Sequence, residues 1–148
     1  MIVIYTVYLI TNILNGKFYI GCTKDTSNRW TGEGIGYQGN PDFFSDIRRD
    51  GWVNFKKEAI FRTCNIEDAA FIEHFLIRTA KRLCRYQCYN LNLATLYENI
   101  PVDSYDESRV FRILSEEEPF SPLRRFYSEL TQETPEEYDL GDITDYWE

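Results

Sequence analysis

The chain has 148 residues, a length that fits one domain with an appendage and excludes a multidomain machine. Its content of 43% apolar, 16% aromatic and 27% charged residues excludes a disordered or collagen-like chain. The net charge of −8 argues at first against a nucleic-acid partner, because phosphate binding needs a basic surface. That charge is unevenly divided, however: residues 1–97 carry 12 Lys and Arg against 9 Asp and Glu, net +3, and residues 98–148 have net −11. We therefore expect a domain at 1–97 and an acidic C-terminal extension at 98–148.

The first ten residues are apolar, but no Lys or Arg precedes them and no small-residue cleavage site follows, so they do not resemble a signal peptide. No apolar run reaches the roughly 18 residues of a membrane span. We expect a cytoplasmic protein with no membrane partner, in which the four cysteines are reduced thiols. The sequence leaves the oligomeric state open.

Residues 2–11 and 17–22 are β-rich segments joined through Asn15-Gly16, the strongest short signal for a β-hairpin. A two-residue turn would pair Leu14 with Lys17 and would place Tyr8 and Tyr19 on the same face of the sheet. In that register the two tyrosines would be offset by four residues, about 13 Å along the strands.

Residues 25–62 contain two candidate helix starts, a glycine-rich loop and a candidate strand. Any of the residues 25–28 could cap a short helix with Arg29, and residues 32–39 read as a loop. Asn40 and Pro41 open a helix that ends near residues 50–51, and residues 54–62 predict a strand. The order is ββαβα followed by a tail.

Asn65 and Asp68 resemble a capping box, and the apolar spacing behind them predicts a helix over 66–85. Residues 89–93 are either a closing strand or an extended segment packed on the sheet. In the extension, Val110 and Leu114 indicate one or two helical turns, and Pro122 opens a further helix. Residues 134–148 are acidic with interspersed aromatics and would be disordered unless those side chains dock. The extension is thus acidic and partly helical.

One group of residues, on the two hairpin strands and shortly after them, matches a pattern associated with catalysis. The two strands read Thr6-Val7-Tyr8 and Tyr19-Ile20-Gly21, and Arg29 stands ten residues after Tyr19. This pattern resembles the GIY-YIG nuclease family. The likeness covers residues 5–92 and continues through Gly36-Tyr37, Phe43-Phe44, the segment 51–55, Glu73 and Tyr89-Asn90-Leu91. It implies a small α/β (α+β) domain, with a three-stranded antiparallel sheet flanked by helices, that hydrolyses DNA phosphodiesters with one divalent metal, Mg²⁺ or Mn²⁺.

The resemblance also implies a role for each matched residue. Glu73 corresponds to the metal-binding carboxylate, and a single hard oxygen ligand suits Mg²⁺, which keeps several waters. Arg29 corresponds to the phosphate-binding arginine, a role suited to a fixed and always charged fork. Tyr8 and Tyr19 correspond to the two tyrosines that activate or position the water, and Asn90 to a supporting asparagine that orients site groups.

Two features complicate this assignment. A free phenol has a pKa near 10, so Tyr8 could act as a base only if Arg29, the metal or the phosphate lowered that pKa, or if Tyr8 relayed a proton instead. Many family members also carry a histidine about a turn after the arginine, where this chain has Glu33. We expect Tyr37 to replace that histidine and Glu33 to point away from the phosphate.

The favoured reading is a metal-dependent DNA endonuclease from a phage or mobile element, possessing a core that binds DNA weakly because +3 is a modest charge. The alternative is a catalytically impaired module of the same fold that binds DNA or a protein partner, with the acidic tail as a nucleic-acid mimic or interaction element. A third reading has the tail fold back on the core and inhibit it. A zinc site at Cys84 and Cys88, completed by Cys64 or His74, is a weaker alternative.

Overall fold

The computed structural model describes residues 2–91 and 96–132. A three-stranded antiparallel sheet consists of β1 (Tyr5–Asn12), β2 (Phe18–Thr23) and β3 (Phe55–Thr63), with β1 in the centre. The helices are α1 (Thr26–Arg29), α2 (Pro41–Asp50), α3 (Ile66–Leu83), α4 (Glu107–Glu116) and α5 (Pro122–Thr131). The predicted fold class, a small antiparallel sheet flanked by helices, is confirmed.

The hairpin register differs from the predicted one by two residues. Tyr8 pairs with Gly21 rather than with Thr23, because a four-residue loop replaces the two-residue turn. The Asn12 N–H donates to the Lys17 carbonyl at 2.8 Å, and within the loop only Gly16 has a positive φ, of 78°. A two-residue type I′ turn would need two such residues. The shift preserves parity, so Tyr8 and Tyr19 do share a face, but their offset is two residues, about 7 Å instead of 13 Å.

Side-chain caps begin the helices as the sequence predicts. The side chains of Asp25, Asn40 and Asn65 accept hydrogen bonds from backbone N–H groups in the first turns of α1, α2 and α3. The capping-box prediction is only half right, since the Asp68 carboxylate accepts from Arg109 Nε of α4 at 2.6 Å. That bond ties α3 to the extension.

The sheet separates two apolar clusters. On one face α3 and α5 pack against the strands and α4 packs against α3. Leu114, Leu123 and Phe126 of the extension are buried in this cluster with Val7 and Leu9. The other face carries Tyr8, Ile10 and Phe55, covered by α2 and by the loop before it. The described part of the extension therefore belongs to the core of the protein, whereas the boundary at residue 97 stays a prediction.

Residues 88–91 run along the outer edge of β2. The Tyr89 N–H donates to the Phe18 carbonyl at 2.8 Å, and Phe18 and Cys88 form a single parallel bridge. The segment is thus extended, with one bridge to the sheet; the remainder of the predicted 89–93 stretch and all of 134–148 lie outside the described residues. Within the part of the chain that the structure describes, no helix is both long and apolar enough to cross a bilayer.

Candidate active site

A cleft of about 710 Å³ opens at the β2 edge of the sheet, between the α2 side and α3. All six residues that the sequence predicts for the site line this cleft: Tyr8, Tyr19, Arg29, Tyr37, Glu73 and Asn90. They come from β1, β2, α1, a one-turn 3₁₀ helix at 35–37, α3 and the segment after it. The tertiary fold thus brings them together from across 82 residues of sequence.

The Tyr8 hydroxyl is the centre of a hydrogen-bonded cluster. The Tyr37 hydroxyl donates to it at 2.9 Å and Arg29 Nε donates to it at 3.4 Å. Arg29 is held in turn by a bond from Nη1 to the Gly36 carbonyl at 3.1 Å, and its guanidinium lies 4.4 Å from the centroid of the Tyr37 ring. Because Tyr8 accepts both bonds, its own proton remains available for a bound phosphate or water.

Gly21 explains how the Tyr8 ring reaches the cleft. A Cβ built at Gly21 would lie 2.3 Å from the hydroxyl oxygen of Tyr8, so the ring crosses β2 directly over this glycine. Any larger residue would displace the ring. The glycine of the Tyr-Ile-Gly motif is therefore required by the position of a tyrosine on the neighbouring strand.

Tyr19 is held by aromatic packing. Its ring stacks on Phe43 with centroids 4.8 Å apart, and Phe43 also stacks on Tyr89 at 4.7 Å. The Tyr8 and Tyr19 ring centroids are 6.4 Å apart. Burial, followed by the negative charge of Glu73, raises the pKa of Tyr19 to about 12, so the phenol is neutral at physiological pH.

Burial also raises the pKa of Tyr8 well above its ordinary value, and the nearby hydroxyls of Tyr37 and Tyr19 add to the rise. The hydrogen bond from Arg29 acts in the opposite direction but is the smaller effect. Arg29 therefore does not convert Tyr8 into a phenolate base in the protein alone. Proton relay through a neutral hydroxyl needs no lowering of this pKa, whereas a phenolate base would need the metal or the phosphate to lower it.

Glu73 is a partly buried carboxylate whose charge no described residue neutralises. It makes no hydrogen bond or ion pair with any other described residue, and burial alone raises its pKa to about 8. Arg29 is the one cationic side chain among the described residues that line the cleft, and it is committed to Tyr8 and Gly36. One carboxylate beside an open, polar space fits a divalent ion that keeps several waters.

Asn90 completes the edge of β2. Its Oδ1 accepts from the Ile20 N–H at 2.9 Å and its Nδ2 donates to the Ile20 carbonyl at 2.7 Å. The side-chain amide thus takes the place of a neighbouring strand. It holds the backbone between Tyr19 and Gly21, which is an orienting role.

Several further residues of the site carried no functional signal in the sequence. Trp30 packs edge-on against Tyr8 with ring centroids 5.4 Å apart, and Asn40 Nδ2 donates to the Tyr89 carbonyl at 2.8 Å in addition to capping α2. Phe43 belongs to the family-like pattern but had no role assigned to it there, and the segment 96–99 of the extension also lines the cleft. Helical periodicity and capping rules detect neither a ring contact between distant segments nor the docking of an extension.

Two secondary expectations are also answered. Glu33 is exposed and is not among the described residues that line the cleft, so it does point away. Among the described residues, which include all four cysteines and His74, no group of three metal-ligating side chains exists. Within the described part of the chain, Cys84 and Cys88 thus have no third ligand for the alternative zinc site.

Part of the chain is similar to a protein of Enterobacteria phage T4 named "Putative endonuclease segD". The two are 35% identical over 75 residues, which are 49% of this chain and 31% of the phage protein. The chain thus spans about a third of the length of the relative it matches. No family model and no solved structure matches the chain.

Proposed function

We propose that the chain is a metal-dependent DNA endonuclease of the GIY-YIG type, encoded by a phage or mobile element. The observation that carries this proposal is the convergence of Tyr8, Tyr19, Arg29, Tyr37 and Glu73 on one cleft. A phosphodiester needs a cationic fork for its oxygens, a positioned water and a carboxylate for a metal, and the cleft offers each of these. The phage relative supports the same reading.

In the proposed reaction the Arg29 guanidinium binds a non-bridging oxygen of the scissile phosphate and neutralises the charge that grows there. The free proton of Tyr8 points to the attacking water or to a phosphate oxygen, because the other positions of its hydroxyl are taken by Tyr37 and Arg29. When the water attacks phosphorus, the hydroxyl pair rotates so that Tyr8 accepts the proton of the water and passes its own proton to Tyr37, which releases its proton to solvent. The bond from phosphorus to the leaving sugar oxygen breaks, and that oxygen takes a proton from a solvent water.

Glu73 would hold the divalent ion, either Mg²⁺ or Mn²⁺, with waters and the phosphate as the remaining ligands. When bound, such an ion would supply Lewis-acid stabilisation of the phosphate and of the leaving alkoxide. Tyr19, packed on Phe43, forms the wall that positions the water. Asn90 keeps that wall in place through its two bonds to Ile20.

The test is cleavage of supercoiled plasmid by the full chain with Mg²⁺ or Mn²⁺. We expect conversion to nicked or linear DNA, loss of at least about 100-fold of the rate in Glu73→Ala, and wild-type rates in Glu116→Ala, an exposed glutamate on α4. Equal rates for wild type and Glu73→Ala would contradict the metal assignment. The absence of cutting by the wild-type chain, with DNA still bound, would favour the second candidate.

That second candidate is an impaired module that binds DNA or a protein without cutting. One observation favours it: Glu33 stands where the family usually has its histidine and lies outside the cleft, and burial raises the pKa of Tyr37, the expected replacement, above its ordinary value. A phenol with a raised pKa transfers protons less readily near neutral pH than an imidazole does. The plasmid assay, paired with a DNA-binding measurement, separates the two candidates.

A further inference from the structure

The beginning of the extension forms a rim of the cleft. Residues 96–99 lie on it together with Glu73, and this rim is outside the segment 5–92 that resembles the nuclease family. Two side chains of the rim, Glu98 and Asn99, are exposed, and Asn99 makes no hydrogen bond with another described residue. The rim therefore presents polar groups that the proposed chemistry does not use.

The backbone of the rim is held in an unfavourable conformation. Glu98 has φ 56° and ψ 37°, and Asn99 has φ 62°, so two successive residues other than glycine are left-handed. Asparagine tolerates this region, whereas glutamate does so at a cost of about 1 kcal/mol or more. Such conformations persist only where the surroundings enforce them.

The flanks of the rim supply that enforcement. Leu96 is 3% exposed and belongs to the main core, and Tyr97 packs edge-on against Tyr5 of β1 with centroids 6.1 Å apart. Ile100, on the other side, also packs against the core. The two polar side chains are thus presented from a rigid turn, the kind of preorganisation that recognition needs.

The size and charge of the cleft indicate what these side chains meet. A space of about 710 Å³ is within the range for ligands far larger than a phosphate group, so a nucleotide flanking the scissile bond has room beside the catalytic residues. The carboxylate of Glu98 is repelled by phosphate but accepts hydrogen bonds from the amino groups of bases, and the Asn99 amide both donates and accepts. The carboxylate of Glu98 therefore fits a base edge and not the backbone, and the Asn99 amide beside it can bond to the same edge.

We propose that Glu98 and Asn99 contact the base of the nucleotide next to the scissile phosphate and set the sequence preference of cleavage at that position. This inference rests on the proposed nuclease function. It assigns base selection to the extension, whereas the residues of the family-like segment act on the phosphate. Direct hydrogen bonds to base edges carry sequence information that phosphate contacts lack.

The test compares cleavage profiles of the full chain. A cut site of the wild type is first mapped on plasmid DNA, and duplexes randomised around that site are then cleaved and sequenced. The variants are Glu98→Gln, which keeps the size and adds a donor, and Asn99→Gly, which keeps the left-handed backbone and removes the amide. Asp103→Asn, an exposed residue of the extension that does not line the cleft, is the matched control for charge.

We expect both rim variants to change the base preference at one position beside the cut by at least about 5-fold, with the other positions and the control unchanged. Profiles identical to that of the wild type, or a uniform loss of rate at every position, would overturn the assignment of base selection to the rim. A wild-type chain that cuts no DNA would overturn the proposed function and this inference with it. Melting temperatures establish that the variants are folded.

Discussion

At the scale of single residues, the protonation of the tyrosines and of Glu73 decides what the cleft can do. Tyr8 is 1% exposed and Tyr37 is 3% exposed, yet their hydroxyls are bonded to each other at 2.9 Å. Burial raises the pKa of both phenols, so both stay neutral, as the proposed relay requires, and Arg29 donates a hydrogen bond to Tyr8. Removing one hydroxyl should interrupt the proposed relay, while the aromatic ring still fills its place in the site.

We expect Tyr37→Phe to lower kcat by roughly 10- to 100-fold with KM within about twofold, because the lost hydroxyl acts on proton transfer and the ring still fills its place. Single-turnover cleavage of a short duplex measures the effect. Tyr86→Phe removes the hydroxyl of a tyrosine that is 88% exposed and should leave the rate unchanged. Equal rates for Tyr37→Phe and wild type would show that no proton passes through Tyr37.

Glu73 should make metal affinity depend on pH. Its pKa of about 8 in the metal-free protein means that a proton must leave before the carboxylate binds a cation. We expect the Kd for Mn²⁺ to be roughly 100-fold weaker at pH 6 than above pH 9. Calorimetry in two buffers of different ionisation enthalpy counts the released proton, and Glu73→Gln should abolish both binding and release. An affinity that does not vary with pH would contradict this.

The raised pKa of Glu73 also determines how the stability of the metal-free protein changes with pH. In the unfolded chain Glu73 ionises near 4.5, whereas in the metal-free fold it ionises near 8, so the unfolded chain loses its proton first. We expect the metal-free wild type to lose stability as pH rises from 4.5 to 8 more steeply than Glu73→Gln does. Thermal melts of the two proteins across this range provide a second measurement of the raised pKa.

At the scale of elements, α3 carries both the proposed metal-binding carboxylate and a candidate phosphate contact. Glu73, Ile77 and Lys81 follow one another at intervals of four residues, so they share one face of the helix, and Glu73 and Ile77 line the cleft. Lys81 makes no ion pair with another described residue and acts electrostatically on the Cys88 thiol beside Asn90. It lies about 12 Å beyond Glu73 along the helix, the span of a few nucleotides of duplex.

We expect Lys81→Ala to weaken DNA binding uniformly across sequences and to reduce the slope of log K against log salt by about 0.9, the value for one lost phosphate contact. Anisotropy titrations at several salt concentrations give that slope. Lys56→Ala is the control, since Lys56 is exposed on β3, at the sheet edge opposite the cleft. A slope that falls equally in both variants would indicate only a general charge effect.

At the scale of the whole molecule, the extension divides into residues 98–132, which contribute side chains to the core, and residues 133–148, which are acidic in sequence. Leu114, Leu123, Phe126 and Tyr127 are each at most 5% exposed in the main core, and burying such a side chain contributes about 1.5 to 3 kcal/mol. Their sum is comparable to the total stability of a domain, about 5 to 15 kcal/mol. Truncation after residue 97 would therefore test folding more than regulation.

Truncation after residue 132 is the sharper test of the acidic tail. Residues 133–148 contain seven Asp and Glu and no Lys or Arg, so their removal changes the net charge from −8 to −1. We expect the shortened chain to bind DNA several-fold more tightly at low salt, with a difference that shrinks as salt rises. Anisotropy and plasmid cleavage measure both effects. Equal binding by the two chains would dismiss a regulatory role for the tail charge.

Local patterns in the sequence were sufficient for much of the fold. Asn40 with Pro41, Asn65 before the periodic run of α3, and Ser121 with Pro122 mark helix starts that the structure reproduces, because capping and helical periodicity are properties of neighbouring residues. The site residues were named from a resemblance, since no local pattern distinguishes Tyr8 from a packing aromatic. The hairpin register was wrong by two residues because loop hydrogen bonds decide it.

The sequence by itself determined the order of the strands and of the longer helices α2 and α3, the shared face of Tyr8 and Tyr19, and the charge asymmetry between the two parts of the chain. Only the tertiary structure decided that Gly21 makes room for Tyr8, that Tyr37 bonds to Tyr8, and that the extension both completes the core and lines the cleft. The physical reason is the distance along the chain over which each property is decided. Helix caps and strand parity depend on adjacent residues, whereas burial, pKa and the walls of a cleft depend on which distant segments the fold brings into contact.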